Sequence, residues 1–130
     1  MTNHPIEELI QKADDAINRE DFDTLIDIYS DDAVLVVQPG ANAVGKAQIR
    51  KAFEAIADYF DHSLQVRQAG MEILESNDTA LVLANSVIAA RDHLEEQRKA
   101  TYVFKKDGQL GWLCVIDNSY GHKLLTTNDR

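Results

Sequence analysis

The chain is short of the residues that build covalent, metal-based or nucleotide-based chemistry. Its 130 residues include one cysteine, Cys114, so an internal disulfide is excluded. Flanked by Leu113 and Val115, that thiol reads as a buried, inert strand residue rather than a nucleophile. The four histidines (His4, His62, His93 and His122) are scattered without metal-ligand spacing, and no metal site is expected. Gly40 and Gly45 are too far apart for a phosphate loop and lack the Lys-Ser/Thr that would follow. No GxSxG elbow or Cys/His nucleophile pattern is present either, and no cofactor is expected. Basic residues are outnumbered, 13 Lys and Arg against 22 Asp and Glu, giving a net charge of −9 with no basic run concealed in the average. Nucleic acid and anionic membrane are thereby disfavoured as partners. No apolar stretch approaches a membrane span, and MTNHPIEELI lacks the charged-then-apolar order of a signal peptide, so a cytoplasmic location is expected.

What is present is an ordinary globular composition, 45% hydrophobic and 27% charged, long enough for one domain over residues 1–130 with a real core. The acidic surplus itself reads as a solvated surface. The chain is organised around Gln97 to Gly121. Two arms rich in β-branched and aromatic residues, Ala100 to Phe104 and Trp112 to Ile116, flank Asp107-Gly108-Gln109-Leu110-Gly111 and predict a hairpin. The second arm then turns polar without a turn signal, at Asp117, Asn118 and Ser119. A carboxylate continuing an apolar strand must find a partner, water or a ligand, because desolvating it alone costs too much. That junction marks the candidate functional site.

The preceding chain reads as helices and then strands. Pro5, with Asn3 or His4 before it and Glu7 and Glu8 after it, starts a helix. Its stripe is Ile6, Leu9, Ile10, Ala13 and Ile17, with Gln11, Lys12, Asp14 and Asp15 on the other side. Asp21 caps a shorter helix whose stripe is Phe22, Leu25, Ile26 and Tyr29, closed by Ser30-Asp31-Asp32. Ala33 to Gln38 is a strand ended by Pro39-Gly40, and Lys46 to Phe60 is a third helix. From Ser63 strands take over. Leu64 and Val66 share one parity and Met71 and Ile73 the other, which predicts a β-bulge at Ala69-Gly70. Ser76-Asn77-Asp78 is a turn, Thr79 to Ala90 a long strand, and Arg91 to Glu95 a connection into the hairpin. The tail, residues 122–130, is expected to be peripheral and partly mobile.

Helices followed by long antiparallel strands predict an α+β fold, three N-terminal helices packed on one face of a strongly curved sheet and enclosing a cavity. In the last strand Leu113 and Val115 face one way and Trp112, Cys114 and Ile116 the other, and neither set is polar. The face away from the helices therefore needs a cover, and a homodimer across that convex face is the simplest one.

The order helix, short helix, DDAVLVVQPG, GKAQIRKAFEAI, then strands ending GWLCVIDNSYG resembles the nuclear transport factor 2-like superfamily over about residues 6–121. DFDTLIDIYSDDAVLVV and RKATYVFKKDG resemble its small stand-alone bacterial members, related to ketosteroid isomerases and SnoaL-like polyketide cyclases. The resemblance implies a cystatin-like cone, dimerisation through the sheet and a pocket between sheet and helices. In ketosteroid isomerases a base carboxylate follows the first strand, and a tyrosine and a protonated aspartate form the oxyanion hole. The matching places here are Val37 or Gln38, Ala13 and Tyr102, so that set of identities is missing. Fold membership does not supply a reaction.

The candidate site residues follow from strand parity and the implied pocket. Asp117 is the candidate base: on the alternation of the last strand it shares a face with Leu113 and Val115, and apolar surroundings raise a carboxyl pKa toward neutrality. Tyr102 shares a parity with Arg98 and Ala100, and is the candidate partner for a developing oxyanion. Arg98 reads either as a pocket guanidinium or as a surface residue paired with Glu96. Tyr29, Asn85, Gln38 and Ser119 complete the expected ligand contacts, Asn85 either lining the pocket or pairing across a subunit interface. The expected function is acid/base chemistry of isomerase, dehydratase or cyclase type on a small, partly apolar molecule. The alternatives are a non-catalytic module for a hydrophobic metabolite and an oligomerisation domain.

Overall fold

The computed structural model describes residues 4–125. The element order is α1 (Pro5–Arg19), α2 (Phe22–Ile26), β1 (Tyr29–Gln38), β2 (Ala41–Val44), α3 (Lys46–Tyr59), β3 (Gln65–Ser76), β4 (Thr79–Ala90), β5 (His93–Asp107) and β6 (Gly111–Asn118), closed by a 3₁₀ turn over Gly121–Leu125. All six strands form one curved sheet in the order β2-β1-β6-β5-β4-β3, antiparallel except where β1 lies parallel to β6. The helices cover its inner face, where Ile6, Ile10, Leu25, Ile49 and Phe53 meet Val82, Phe104 and Trp112 in the core.

Local chemistry sets the helix ends. His4 caps α1 through its ring, Nδ1 accepting the Ile6 N–H at 3.0 Å; Asn3, the other expected cap, lies outside the described residues. Asp21 caps α2 by accepting from the Thr24 N–H and hydroxyl at 3.2 and 2.7 Å. The second helix is shorter than its stripe suggested. It stops at Ile26, and Tyr29 opens β1 opposite Cys114 of β6. Ser30-Asp31-Asp32 therefore sits within an irregular stretch of strand rather than at a helix end.

Two further strand segments depart from the sequence reading. Ala41–Val44 folds back on β1 across Pro39-Gly40, with Gly40 at φ 88. Its Ala-Asn-Ala-Val run has almost no β-branched signal, so pairing rather than propensity makes it a strand. β5 begins at His93, leaving only Arg91-Asp92 as the connection. The bulge at Ala69-Gly70 is present: pairing with β4 jumps from Gln68–Ser86 to Met71–Ala84, and Gly70 takes φ 143.

A second bulge, on β6, was not expected and matters more. Ile116 pairs with Val103, but Cys114 pairs with Phe104, so Val115 is an extra residue. Asp117 thus shares the inner face with Trp112 and Cys114, not with Leu113 and Val115. Strict alternation from Cys114 would have put Asp117 on the outer face. On that outer face the registers align Leu74, Leu81, Val103, Ile116, Val34 and Val44 across all six strands. Leu74, Ile116 and Val44 in this row are exposed.

Candidate functional site

Between the helices and the inner face lies a cavity of about 600 Å³, within the range that holds a small organic molecule. Ile10 and Ile17 of α1, Phe53 and Ile56 of α3 and Leu35 of β1 supply much of its apolar wall. Polar groups converge on it from separate elements: Asp14 from α1, Tyr29 from β1, Ser86 from β4, Tyr102 from β5 and Asp117 from β6. Asp117 pairs with Leu35 of β1 on one side and with Tyr102 of β5 on the other. These three side chains therefore stand abreast.

Asp117 is enclosed by protein and partly exposed to the cavity. The Tyr29 hydroxyl donates to its Oδ2 at 2.6 Å. Burial pushes its carboxyl up from 3.8 to about 6, although the Tyr29 bond pulls the other way. Tyr29 is held well above the ordinary phenol value by burial and then by the charge on Asp117, so it remains a donor. Tyr102 is raised as well, by burial and then by Asp117, with its bond to Ser86 opposing. Burial also lifts the Cys114 thiol, whose Sγ donates to the Ile116 carbonyl at 3.4 Å. A thiol in that state is not a nucleophile.

The mouth is polar. Arg98 donates to Glu96 at 2.8 Å and to Ser119 Oγ at 3.1 Å, and its guanidinium lies 4.3 Å from the centre of the Tyr120 ring. It lines the cavity while paired with Glu96, and with its side chain 15% exposed it is not the surface residue of the alternative reading. Asn118 shapes the loop after β6: its Oδ1 accepts from Tyr120 and Gly121 N–H, and its Nδ2 donates to the Gly121 carbonyl. That loop seats Ser119 and Tyr120 in the lining. Gln38 joins it from the exposed end of β1.

Of the residues singled out in the sequence, Asp117, Tyr102, Tyr29, Arg98, Ser119 and Gln38 therefore meet around one cavity. Asn85 does not. It is exposed on the outer face, beside Gly70 of the neighbouring strand, and the inward polar residue of β4 is Ser86. Asn85 and Ser86 are adjacent, so strand parity alone decides between them.

Asp14 was misplaced in the sequence reading. It is 5% exposed and lines the cavity, not the solvent side of α1. Its place four residues after Ile10 and three before Ile17 put it on the edge of the apolar stripe. Gln68 Nε2 donates to its Oδ2 at 3.0 Å. Burial first, and then the charges of Asp117 and Asp15, raise its carboxyl from 3.8 to about 6 against that hydrogen bond. Among the described residues no group of three or more His, Cys, Asp or Glu side chains is placed to hold a metal ion. Nor is any helix long and apolar enough to cross a membrane.

The family model for a SnoaL-like domain matches residues 6–115. No curated protein matches the chain. Solved structures of similar shape include a cystatin-like protein of unknown function from Nostoc punctiforme, 20% identical, covering 86% of this chain and 84% of its own, with a TM-score of 0.75. An NTF2-like protein of unknown function from Pseudomonas putida is 19% identical over 86% of this chain and 80% of its own, TM-score 0.76. An NTF2-like protein from Streptomyces avermitilis, provisionally described as a dehydratase, is 19% identical over 86% and 89%, TM-score 0.70. At these identities the likeness shows the cystatin-like fold.

Proposed function

Since the chain belongs to the SnoaL-like family within the NTF2-like superfamily, we propose that it is an acid/base enzyme for a small, partly apolar molecule, with Asp117 moving the proton. One observation carries this reading. An enclosed carboxylate, held by Tyr29 at 2.6 Å and raised to about 6, faces a cavity of about 600 Å³. A base with a pKa near the working pH combines a useful ionised fraction with a strong drive to take a proton. Asp117 would remove a proton from carbon beside a carbonyl, or from a hydroxyl, and return it elsewhere on the same molecule or with a leaving water. Tyr102, abreast of Asp117 on β5, contacts the substrate oxygen where charge changes. Isomerisation, cyclisation and dehydration all use that pair of contacts, and the dehydratase description of the Streptomyces neighbour supports including the last.

The test does not need the natural substrate. A panel of small cyclic ketones incubated with the protein in deuterated water reports proton abstraction as loss of the α-hydrogen NMR signal. Exchange that is lost in Asp117→Asn, in a protein still folded, is the expected result. Exchange at an equal rate in that variant, or a bound ketone whose oxygen lies away from Asp117 and Tyr102, overturns the reading. The apolar wall of Ile10, Ile17, Leu35, Phe53 and Ile56 favours a second one, a carrier that binds a hydrophobic metabolite without turnover; binding without exchange would select it.

The outer face bears on assembly. We propose a homodimer through the row from Leu74 to Val44, because an apolar ladder across a whole sheet is a surface that a second copy can bury. A sedimentation mass of one protomer would exclude it.

A further inference from the structure

Asp14 on α1 is joined to Tyr102 on β5 by an unbroken file of hydrogen bonds, in which Asp14, Ser86 and Tyr102 line the cavity and Gln68 links the first two. Gln68 Nε2 donates to Asp14 Oδ2 at 3.0 Å, and Ser86 Oγ donates to Gln68 Oε1 at 3.3 Å. Ser86 Oγ and Tyr102 Oη are 3.1 Å apart, with either able to donate. Tyr102 is paired in the sheet with Val82 rather than Ser86, so its phenol spans the intervening Ala84–Ala100 row to reach the serine. Two alanines there leave room for the ring.

The donors in this file are not independent of one another. An ionised carboxylate can only accept, so charged Asp14 turns the amide nitrogen of Gln68 toward itself. The amide oxygen then faces Ser86, which must give it its single proton. Ser86 Oγ is left with lone pairs, and Tyr102 donates to it. With Asp14 charged, Tyr102 therefore commits its proton to the wall and offers the cavity an acceptor. A proton on Asp14 allows every bond to reverse. The Asp14 hydroxyl donates to the amide oxygen of an overturned Gln68, the amide nitrogen donates to Ser86, and Ser86 donates to Tyr102. The phenol proton is then free to point into the cavity.

We propose that Asp14 is a positioning residue that determines, through Gln68 and Ser86, whether Tyr102 accepts from or donates to a bound molecule. The charged form selects substrates that present a hydroxyl or enol proton at Tyr102, and the neutral form selects a carbonyl or oxyanion. This deepens the acid/base reading and rests on it only in placing the substrate oxygen at Tyr102.

Few groups bear on the switch. Asp117 acts on Asp14 from β6 and Asp15 from its own helix. Tyr102 faces Asp14 from β5, and is itself influenced by Asp117 and Cys114. β3 contributes the neutral amide of Gln68, and α2 turns Phe22, Leu25 and Ile26 toward the core.

The test uses the whole chain without ligand, labelled with ¹³C at tyrosine Cζ and aspartate Cγ, and titrated from about pH 4 to about pH 8 around the expected midpoint. In the wild type the Tyr102 resonance should move with the Asp14 carboxyl, with a midpoint of about 6. In Asp117→Asn both midpoints should fall together, because the charge on Asp117 raises Asp14. The remaining substitutions are made on Asp117→Asn, so that Tyr102 cannot respond to that carboxyl directly. Adding Asp14→Asn should abolish the Tyr102 titration. Adding Ser86→Ala should leave Asp14 titrating while the Tyr102 response loses most of its amplitude. A Tyr102 titration that survives Asp14→Asn or keeps its full amplitude with Ser86→Ala in that background, or that vanishes in Asp117→Asn alone, overturns the proposal. No arm depends on turnover, so failure of the ketone exchange assay would leave this result separately readable.

Discussion

Asp14→Asn is expected to stabilise the protein at neutral pH and scarcely at all in acid. The carboxyl is 5% exposed, and its pKa rises from 3.8 toward 6 on folding, chiefly through burial. Because the folded value is the higher one, the native state binds more protons than the unfolded chain between those two values. Stability therefore falls as pH climbs through the window. The contribution of the proton is complete below the unfolded pKa and gone above the folded one. A difference of about 2 in pKa, at about 1.4 kcal/mol for each whole step, makes the charged side chain cost about 3 kcal/mol at pH 7.5. Asparagine keeps the shape and an oxygen for Gln68 Nε2 but cannot ionise. Urea unfolding at pH 7.5 should show the variant more stable by about 3 kcal/mol, on the order of 10 °C in Tm for a chain of this size. At pH 4 the same integration leaves a gain of only about 0.5 kcal/mol. Equal gains at both pH values, or a loss at pH 7.5, would refute the reasoning. A side chain kept at such a cost in a cavity wall is better explained by function than by stability.

Tyr29→Phe removes the one hydrogen bond that lowers the Asp117 carboxyl, so its ¹³C titration midpoint should move upward from about 6; an unchanged midpoint would disprove that role. Ile116→Asp places a charge in the middle of the outer apolar row and should bring the sedimentation mass down to a single 14.6 kDa chain, with the far-ultraviolet circular dichroism unchanged. Gly121→Ala builds a Cβ into the Lys99 carbonyl oxygen at a positive φ of 56, and should lower stability in urea by about 2 kcal/mol or more. Because Gly121 closes the loop that holds Ser119 and Tyr120, any ketone binding should weaken in the same variant.

The fold was readable because its main signals are periodic. Ile6, Ile10 and Ile17 mark the buried side of α1, and the parity change between Val66 and Met71 located a bulge that the register bears out. The features that escaped are those in which a neighbour's pairing overrides local preference. Ala41–Val44 is a strand because β1 offers it an edge, and Tyr29 joins β1 because β6 pairs with it. The site was legible to a similar depth. Alternation placed Arg98, Ala100 and Tyr102 on one face correctly, yet it brought Asp117 inward by a mistaken count. Alternation makes Leu113 and Val115 its companions, whereas the extra residue at Val115 exchanges them for Trp112 and Cys114. No composition signal marks that bulge, since Val115 suits a regular strand as well as an irregular one. Asp14 was missed for a different reason. A carboxylate at the edge of an apolar stripe looks like surface until a cavity, rather than a solid core, is known to lie beneath it.

The arrangement of the buried carboxylates also shows why family membership does not name the residues of a site. The resemblance directed attention to the end of the first strand, where Val37 and Gln38 provide no carboxylate, and to Ala13 on the first helix. In the structure the buried carboxylates stand elsewhere: Asp117 on β6, directly beside Leu35 of β1, and Asp14 on the helix, one step on from Ala13. β1 and β6 are adjacent and parallel, so a side chain from either enters the same space from nearly the same direction. A helix that meets the cavity along its stripe edge can likewise exchange neighbouring positions by a small rotation. In this chain the enclosed space makes ionised groups costly, and the two carboxyls brought to it, Asp14 and Asp117, both have their pKa raised by desolvation first. Burial tunes a carboxyl in the same direction whichever element presents it, so any reaction must be argued from the side chains that this chain places there.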